Sequence, residues 1–256
     1  MTDVNNQANK PCGLHCIKIH HFHVQYGSEV ILEDVNLHIH CGKLHVLIGR
    51  NGAGKSTLIK AILGEVVHQG KIVFQTPEGR SLKKKNVLKI GYVPQKAFLF
   101  SGTIADNLRH GKKDATEQEM QRACKIAQLD GLIASSEDGL LRRVSQAGNN
   151  FSGGQKQRLS IARAVIRKPD IYIFDDSFFA LDFKTDAKLR AALKNEVGDS
   201  AVLIIAQRIS TILDADQIVV LNDGRIAGIG THRQLLASCP VYQQIARSQM
   251  SEEELA

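Results

Sequence analysis

Gly49-Arg50-Asn51-Gly52-Ala53-Gly54-Lys55-Ser56 fits the pattern G-x-x-x-x-G-K-[ST]. A short apolar strand, Leu44–Ile48, runs into it, and a helical pattern, Ser56–Leu63, leaves it. That order is the context the pattern requires. Glycines let the backbone curl so that several N–H groups face one anion. The helix N-terminus adds its positive dipole end. Lys55 places a point charge on the β- and γ-phosphates of a nucleotide, and Ser56 offers a hydroxyl to Mg²⁺. A chance glycine-rich turn is the alternative, and the strand before and helix after argue against it. Gly49, Asn51, Gly52, Ala53, Gly54, Lys55, Ser56 and Thr57 are therefore the expected nucleotide-binding set.

On either side of this loop, strand and helix patterns alternate. Ile17–Leu47 carries period-2 segments such as Val35–His40, which argues for half-buried strands. Gly70–Gln75 and Leu88–Pro94 read as further strands, and Asp114–Ala134 has helical spacing. Ser152–Arg167 is a helix, Ile171–Phe174 a buried strand, and Leu189–Glu196 a helix. Ala201–Ala206 and Gln217–Leu221 are strands. Such alternation indicates an α/β chain with a mainly parallel sheet. Ile171-Tyr172-Ile173-Phe174-Asp175 is an apolar strand ending in a carboxylate, and paired with the phosphate loop Asp175 is expected to hold Mg²⁺. Asp176, next in sequence, stands where a base would activate the attacking water.

Ser152-Gly153-Gly154-Gln155 opens the next helix and forms a second anion-binding terminus. One nucleotide needs two such termini only if they come from different subunits. With this element the sequence resembles the nucleotide-binding domains of ATP-binding cassette (ABC) transporters over about residues 15–250. The resemblance implies a P-loop NTPase fold: a RecA-like core sheet, an antiparallel β-subdomain and a helical subdomain near 97–168, behind a polar tail at 1–14. It implies ATP and Mg²⁺ as ligands. Tyr26 would stack on adenine. Gln95, in Tyr92-Val93-Pro94-Gln95, would contact Mg²⁺ and the attacking water. Asp182, in Ala180-Leu181-Asp182, would cross a dimer interface. It also implies two domains packed head to tail, each ATP lying between one phosphate loop and the other domain's Ser152–Gln155. Transmembrane transporter subunits would be the further partner.

Two positions depart from the family pattern. Asp176 replaces a catalytic Glu and is one methylene shorter, and Gln207 replaces a switch His and cannot carry a positive charge. Together they resemble the degenerate site of two-chain exporters, so slow hydrolysis is expected, with a nucleotide-holding module of negligible turnover as the alternative. Phe179 stands where a small residue is usual. Residues 17–95 resemble metal-ion importer ATPases of the zinc or manganese type. Ala97–Leu108, Arg143–Gly148 and Gly228–His232 resemble exporters, which suggests a chimera joined near 93–97.

Composition agrees with a folded chain of 256 residues, 43% hydrophobic and 23% charged, with a net charge of +7. The positive excess suits a phosphorylated ligand, a membrane surface or nucleic acid without choosing among them. Scarce aromatics (5%) and no Trp argue against a base-stacking single-strand binder, and a single cassette argues against the soluble members that act on nucleic acid. No apolar run approaches the ~18 residues of a membrane span, and residues 1–13 lack the apolar core of a signal peptide. A cytoplasmic protein held at the membrane by its partners is expected. Seven histidines and three cysteines lie within residues 12–45. Their spacing fits no standard zinc pattern, so they are expected to be surface histidines on a small β-subdomain.

Overall fold

The computed structural model describes residues 16–76, 81–82, 89–178, 180–209 and 212–251. The polar tail with Cys12 and His15, the Lys83–Lys85 run and Phe179 lie outside them. In chain order the strands are β1 (Cys16–Tyr26), β2 (Glu29–Ile39), β3 (Leu44–Gly49), β4 (Gln69–Gln75), β5 (Ser81–Leu82), β6 (Ile90–Val93), β7 (Gly102–Thr103), β8 (Arg143–Val144), β9 (Ile171–Asp175), β10 (Ala201–Ile205), β11 (Gln217–Asn222) and β12 (Arg225–Gly230). The helices are α1 (Lys55–Leu63), α2 (Ile104–Arg109), α3 (Glu117–Ile126), α4 (Asp130–Ala134), α5 (Gly153–Val165), α6 (Phe183–Val197), α7 (His232–Ser238) and α8 (Pro240–Arg247). No helix among the described residues is long and apolar enough to cross a membrane.

The chain divides into two compact units. The first comprises Met1–Leu88 with Asp199–Ala256. It contains an antiparallel sheet in the order β2-β1-β4-β5. Alternation along β1 and β2 buries Ile17, Ile19, Phe22 and Val24 against Leu32, Val35, Leu37 and Ile39. Register shifts interrupt this pairing after Ile19, where His21 takes a left-handed φ of 45° and its N–H bonds Asn36 Oδ1 at 2.9 Å. The same unit holds β12-β11-β3-β10, with β3 parallel to both β10 and β11 and β12 antiparallel to β11. Every residue of β10 is buried. Strands covered on both faces read as continuous apolar runs, which is why β10 was visible as one.

The second unit, Lys89–Gly198, contains the parallel pair β6 and β9 with α2 to α6. Three of its helices start with capping boxes: Thr103 with Asp106, Thr116 with Glu119, and Ser152 with Gln155. The helix expected over 114–134 is two helices. Gln128 adopts φ 58° and ends the first, and its carbonyl is taken by the Arg158 guanidinium on α5, a tertiary contact that local spacing does not carry. The helix expected at 189–196 starts at Phe183, because the Asp182 carboxylate caps it.

The histidines correct one expectation. His45 is fully buried on β3, not at the surface. Both ring nitrogens are bonded there, Nδ1 to Gln217 Oε1 at 2.7 Å and Nε2 to the His40 N–H at 2.8 Å. The His38 and His40 rings lie 3.6 Å apart, as expected for one strand face. Among the described residues no three His, Cys, Asp or Glu side chains converge to hold a metal ion. Burial, with His38, His45, Lys43 and Lys18 nearby, lowers the His40 pKa to about 4. The folded state therefore binds fewer protons than the unfolded chain between about pH 4 and 6.5. Stability from the neutral ring is full above pH 6.5 and is lost as pH falls toward 4. The melting temperature should drop over that window, and His40→Asn should flatten the drop by ~1–2 kcal/mol after allowance for the ring's partial exposure. Identical pH profiles for the two proteins would remove His40 from the account.

Candidate functional site

Within the first unit, β3 delivers the phosphate loop. Gly49 packs against β11, where a Cβ would stand 2.2 Å from the Leu221 carbonyl oxygen. Gly52 and Gly54 take left-handed φ values of 83° and 95°, open to glycine at no steric cost. Gly54 is also the N-cap of α1 and supplies no capping side chain, so the first turn presents its N–H groups as an anion site. Lys55 is only 8% exposed. Its Nζ donates to the Gly49 and Arg50 carbonyls, both at 2.8 Å, which closes the loop on itself and fixes the charge beside it. Ser56 is exposed and Thr57 half-buried.

Gln207 joins this loop. A cavity of about 390 Å³ is lined by Gly49, Arg50 and Asn51 on one side and by Gln207, Asn222 and residues of α8 on the other. The sequence placed Gln207 at a switch position, and the fold sets it beside the first residues of the phosphate loop. Tyr26 ends β1 opposite Glu29, about half exposed, and is not among the residues lining that cavity.

The second unit assembles the acidic residues. Asp175 ends β9 and accepts a hydrogen bond from Tyr92 Oη at 3.3 Å. Asp176 follows in a left-handed conformation, φ 49°, which Asp tolerates better than most residues. Its carboxylate accepts from Gln95 Nε2 at 3.2 Å. Ser177 Oγ donates to the Val93 carbonyl at 2.8 Å, and Gln157 Nε2 of α5 donates to the Pro94 carbonyl at 3.1 Å. The Gln95 loop is thus tied both to the residues that follow β9 and to α5.

Ser152 and Gln155 cap each other's backbone: Ser152 N–H donates to Gln155 Oε1 at 3.0 Å, and Gln155 N–H to Ser152 Oγ at 3.3 Å. Gly153 has open space where a side chain would be, whereas a Cβ on Gly154 would meet the Ala180 carbonyl at 3.2 Å. Asp182 is exposed, and its Oδ1 accepts from Thr185 N–H at 2.9 Å. Hydrogen bonds from the Thr185 hydroxyl and then the Thr185 N–H, with Arg158 nearby, hold its carboxyl below the usual range.

Ser56 in the first unit offers a hydroxyl, and Asp175 and Gln95 in the second offer a carboxylate and an amide oxygen, each a hard oxygen donor of the kind Mg²⁺ takes. Tyr92, Ser177 and Gln157 were not found from sequence. Tyr92 adjoins Val93-Pro94-Gln95, but its bond to Asp175 depends on β6 pairing with β9 in the register Tyr92↔Ile173, which no local pattern encodes.

A model described as ABC transporter matches residues 32–178. An uncharacterised ABC transporter ATP-binding protein of Mycobacterium tuberculosis is 46% identical over 224 residues, covering 86% of this chain and 38% of that protein. A mitochondrial protein of Aspergillus fumigatus named iron-sulfur clusters transporter atm1 is 36% identical, covering 86% of this chain and 31% of its own length. The structure of a bacterial Atm1-family ABC exporter with ATP bound superposes with a TM-score of 0.86 at 30% identity, over 93% of this chain and 42% of that one. This chain therefore spans well under half the length of these relatives. The match over residues 32–178 runs through 93–97 unbroken, and the relatives named here that carry a transport function are of exporter type. They give no support to a junction there or to a likeness with metal-ion importers, and exporter-type relatives account for both halves.

Proposed function

The chain belongs to the ABC transporter family as an ATP-binding ATPase domain of exporter type, and from that premise we propose how it handles nucleotide. The observation that carries the proposal is the phosphate loop: two left-handed glycines, an uncapped helix start and a lysine locked across the loop by two carbonyls. MgATP binds with its phosphates in Gly49–Ser56, and Tyr26 stacks on the adenine. Ser56, Asp175 and Gln95 hold Mg²⁺, which supplies charge neutralisation on the phosphates when bound. Ser152–Gln155 closes over the nucleotide of a second domain, with Asp182 at that interface, and membrane-spanning partners place the chain at the cytoplasmic face and take up the motion. Hydrolysis is slow. Asp176 is short of a glutamate's reach and drawn onto Gln95, and Gln207 is neutral where a charge would meet the γ-phosphate.

A second reading, a module that holds ATP with negligible turnover, is favoured by the same two residues. MgATP turnover measured against protein concentration separates them. Turnover per chain that rises with concentration supports a composite dimer, because each site then needs a partner. A measurable rate independent of concentration overturns the head-to-tail arrangement. Tight ATP binding with no turnover at any concentration favours the nucleotide-holding module.

A further inference from the structure

Gln249 lies just past α8, whose C-cap is Ser248, and its side chain reaches back to the turn after β10. Its Oε1 accepts from the Ile209 N–H at 2.9 Å, and its Nε2 donates to the Gln207 carbonyl at 2.8 Å. One amide thus brackets residues 207–209 with a complementary acceptor and donor. Among charged or hydroxyl side chains of similar length none supplies both in that arrangement. Its own backbone is anchored, with the Gln249 N–H and Met250 N–H both on the Ala246 carbonyl at 3.0 and 2.9 Å. α8 is anchored in turn by Tyr242, fully buried, whose hydroxyl meets His232 Nδ1 at 2.8 Å. Val241, Gln244, Ile245, Ser248 and Gln249 line the same cavity as Gly49–Asn51 and Gln207.

We propose that Gln249 is a positioning residue for the hydrolytic site: it fixes the backbone at Gln207 so that this side chain stays at the phosphate-loop end of the cavity. Gln207 and Arg208 are exposed, and the backbone of an exposed turn moves more readily than that of the elements it joins. Both bonds engage main-chain atoms of the turn, so they set its path whatever side chain stands at 207. The role rests on the ATPase reading above, and the test separates the two.

In Gln249→Ala the Ile209 amide loses its acceptor, so residue-resolved hydrogen exchange there should quicken about tenfold. Amides of β11, Ile218–Leu221, should keep their protection. Turnover at saturating MgATP should fall about fivefold while KM stays within about twofold, the pattern of an interaction that matters in the transition state. Gln249→Glu keeps an acceptor for the Ile209 N–H but sets a carboxylate against the Gln207 carbonyl. It should retain Ile209 protection and still lose turnover. Unchanged exchange at Ile209 in Gln249→Ala would overturn the proposal, as would faster exchange with unaltered turnover or a rise in KM alone. An unmodified chain that binds no MgATP would overturn the ATPase reading and this role in turnover with it, and the Ile209 exchange would still report whether the bracket exists.

Discussion

Lys55→Ala is expected to raise the dissociation constant for MgATP by about a hundredfold or more and to bring turnover to background. Two losses combine. In the proposed site the Nζ charge is the point cation for the β- and γ-phosphates, and it is largely withdrawn from water, so its attraction is weakly screened. The same Nζ bonds the Gly49 and Arg50 carbonyls, so its removal also frees a loop whose Gly52 and Gly54 are in left-handed geometry. Charged hydrogen bonds are worth roughly 1.5–3 kcal/mol each, and ~2.7 kcal/mol already equals a hundredfold. Lys55→Arg isolates the shape requirement. It keeps the charge but needs room for a planar fork in a site only 8% exposed, and it should recover little. Calorimetric titration with MgATP, beside melting curves that show both variants folded, makes the measurement. Affinity within threefold of the unmodified chain in folded Lys55→Ala would remove the phosphate loop from its assigned role.

The parts of the site legible in the sequence are those set by local chemistry. The glycines at 52 and 54 announce left-handed backbone, Lys55 and Ser56 follow at fixed offsets, and Ser152 with the two glycines after it announces a helix start. A run of four apolar residues, Ile171–Phe174, ending in Asp175 needs no partner to be recognised as a buried strand. The remainder depends on elements distant in sequence. Tyr92 meets Asp175 across 83 residues, and Gln249 meets Gln207 across 42. The burial of His45 follows from strands on both sides of β3, although its residue type suggested the surface. The break at Gln128 is fixed by an arginine 30 residues on. The change of character expected near residue 95 rests on short segments, and the family match that spans residues 32–178 gives it no support.

The double variant Asp176→Glu with Gln207→His should raise turnover at least about tenfold, since a well-placed general base contributes roughly 10²–10⁴-fold. Geometry sets how the gain divides. Glutamate extends the carboxylate by about 1.5 Å, one carbon–carbon bond, past the Gln95 amide that now holds Asp176. It must do so at φ 49°, where a residue other than Gly, Asn or Asp costs roughly 1–2 kcal/mol. Asp176→Glu alone should therefore yield less than its chemistry promises, together with a lower melting temperature. Gln207→His leaves the Gln249 bracket whole, because that bracket grips the carbonyl of residue 207 and not its side chain. Histidine then adds a protonatable group at the cavity shared with Gly49, Arg50 and Asn51. In the proposed mechanism both changes act on one transition state, so the double variant should exceed the product of the singles. Steady-state phosphate release from all four proteins gives the cycle directly. A double variant no faster than the unmodified chain would mean that Asp176 and Gln207 do not limit hydrolysis, and the slow-turnover proposal would fall with them.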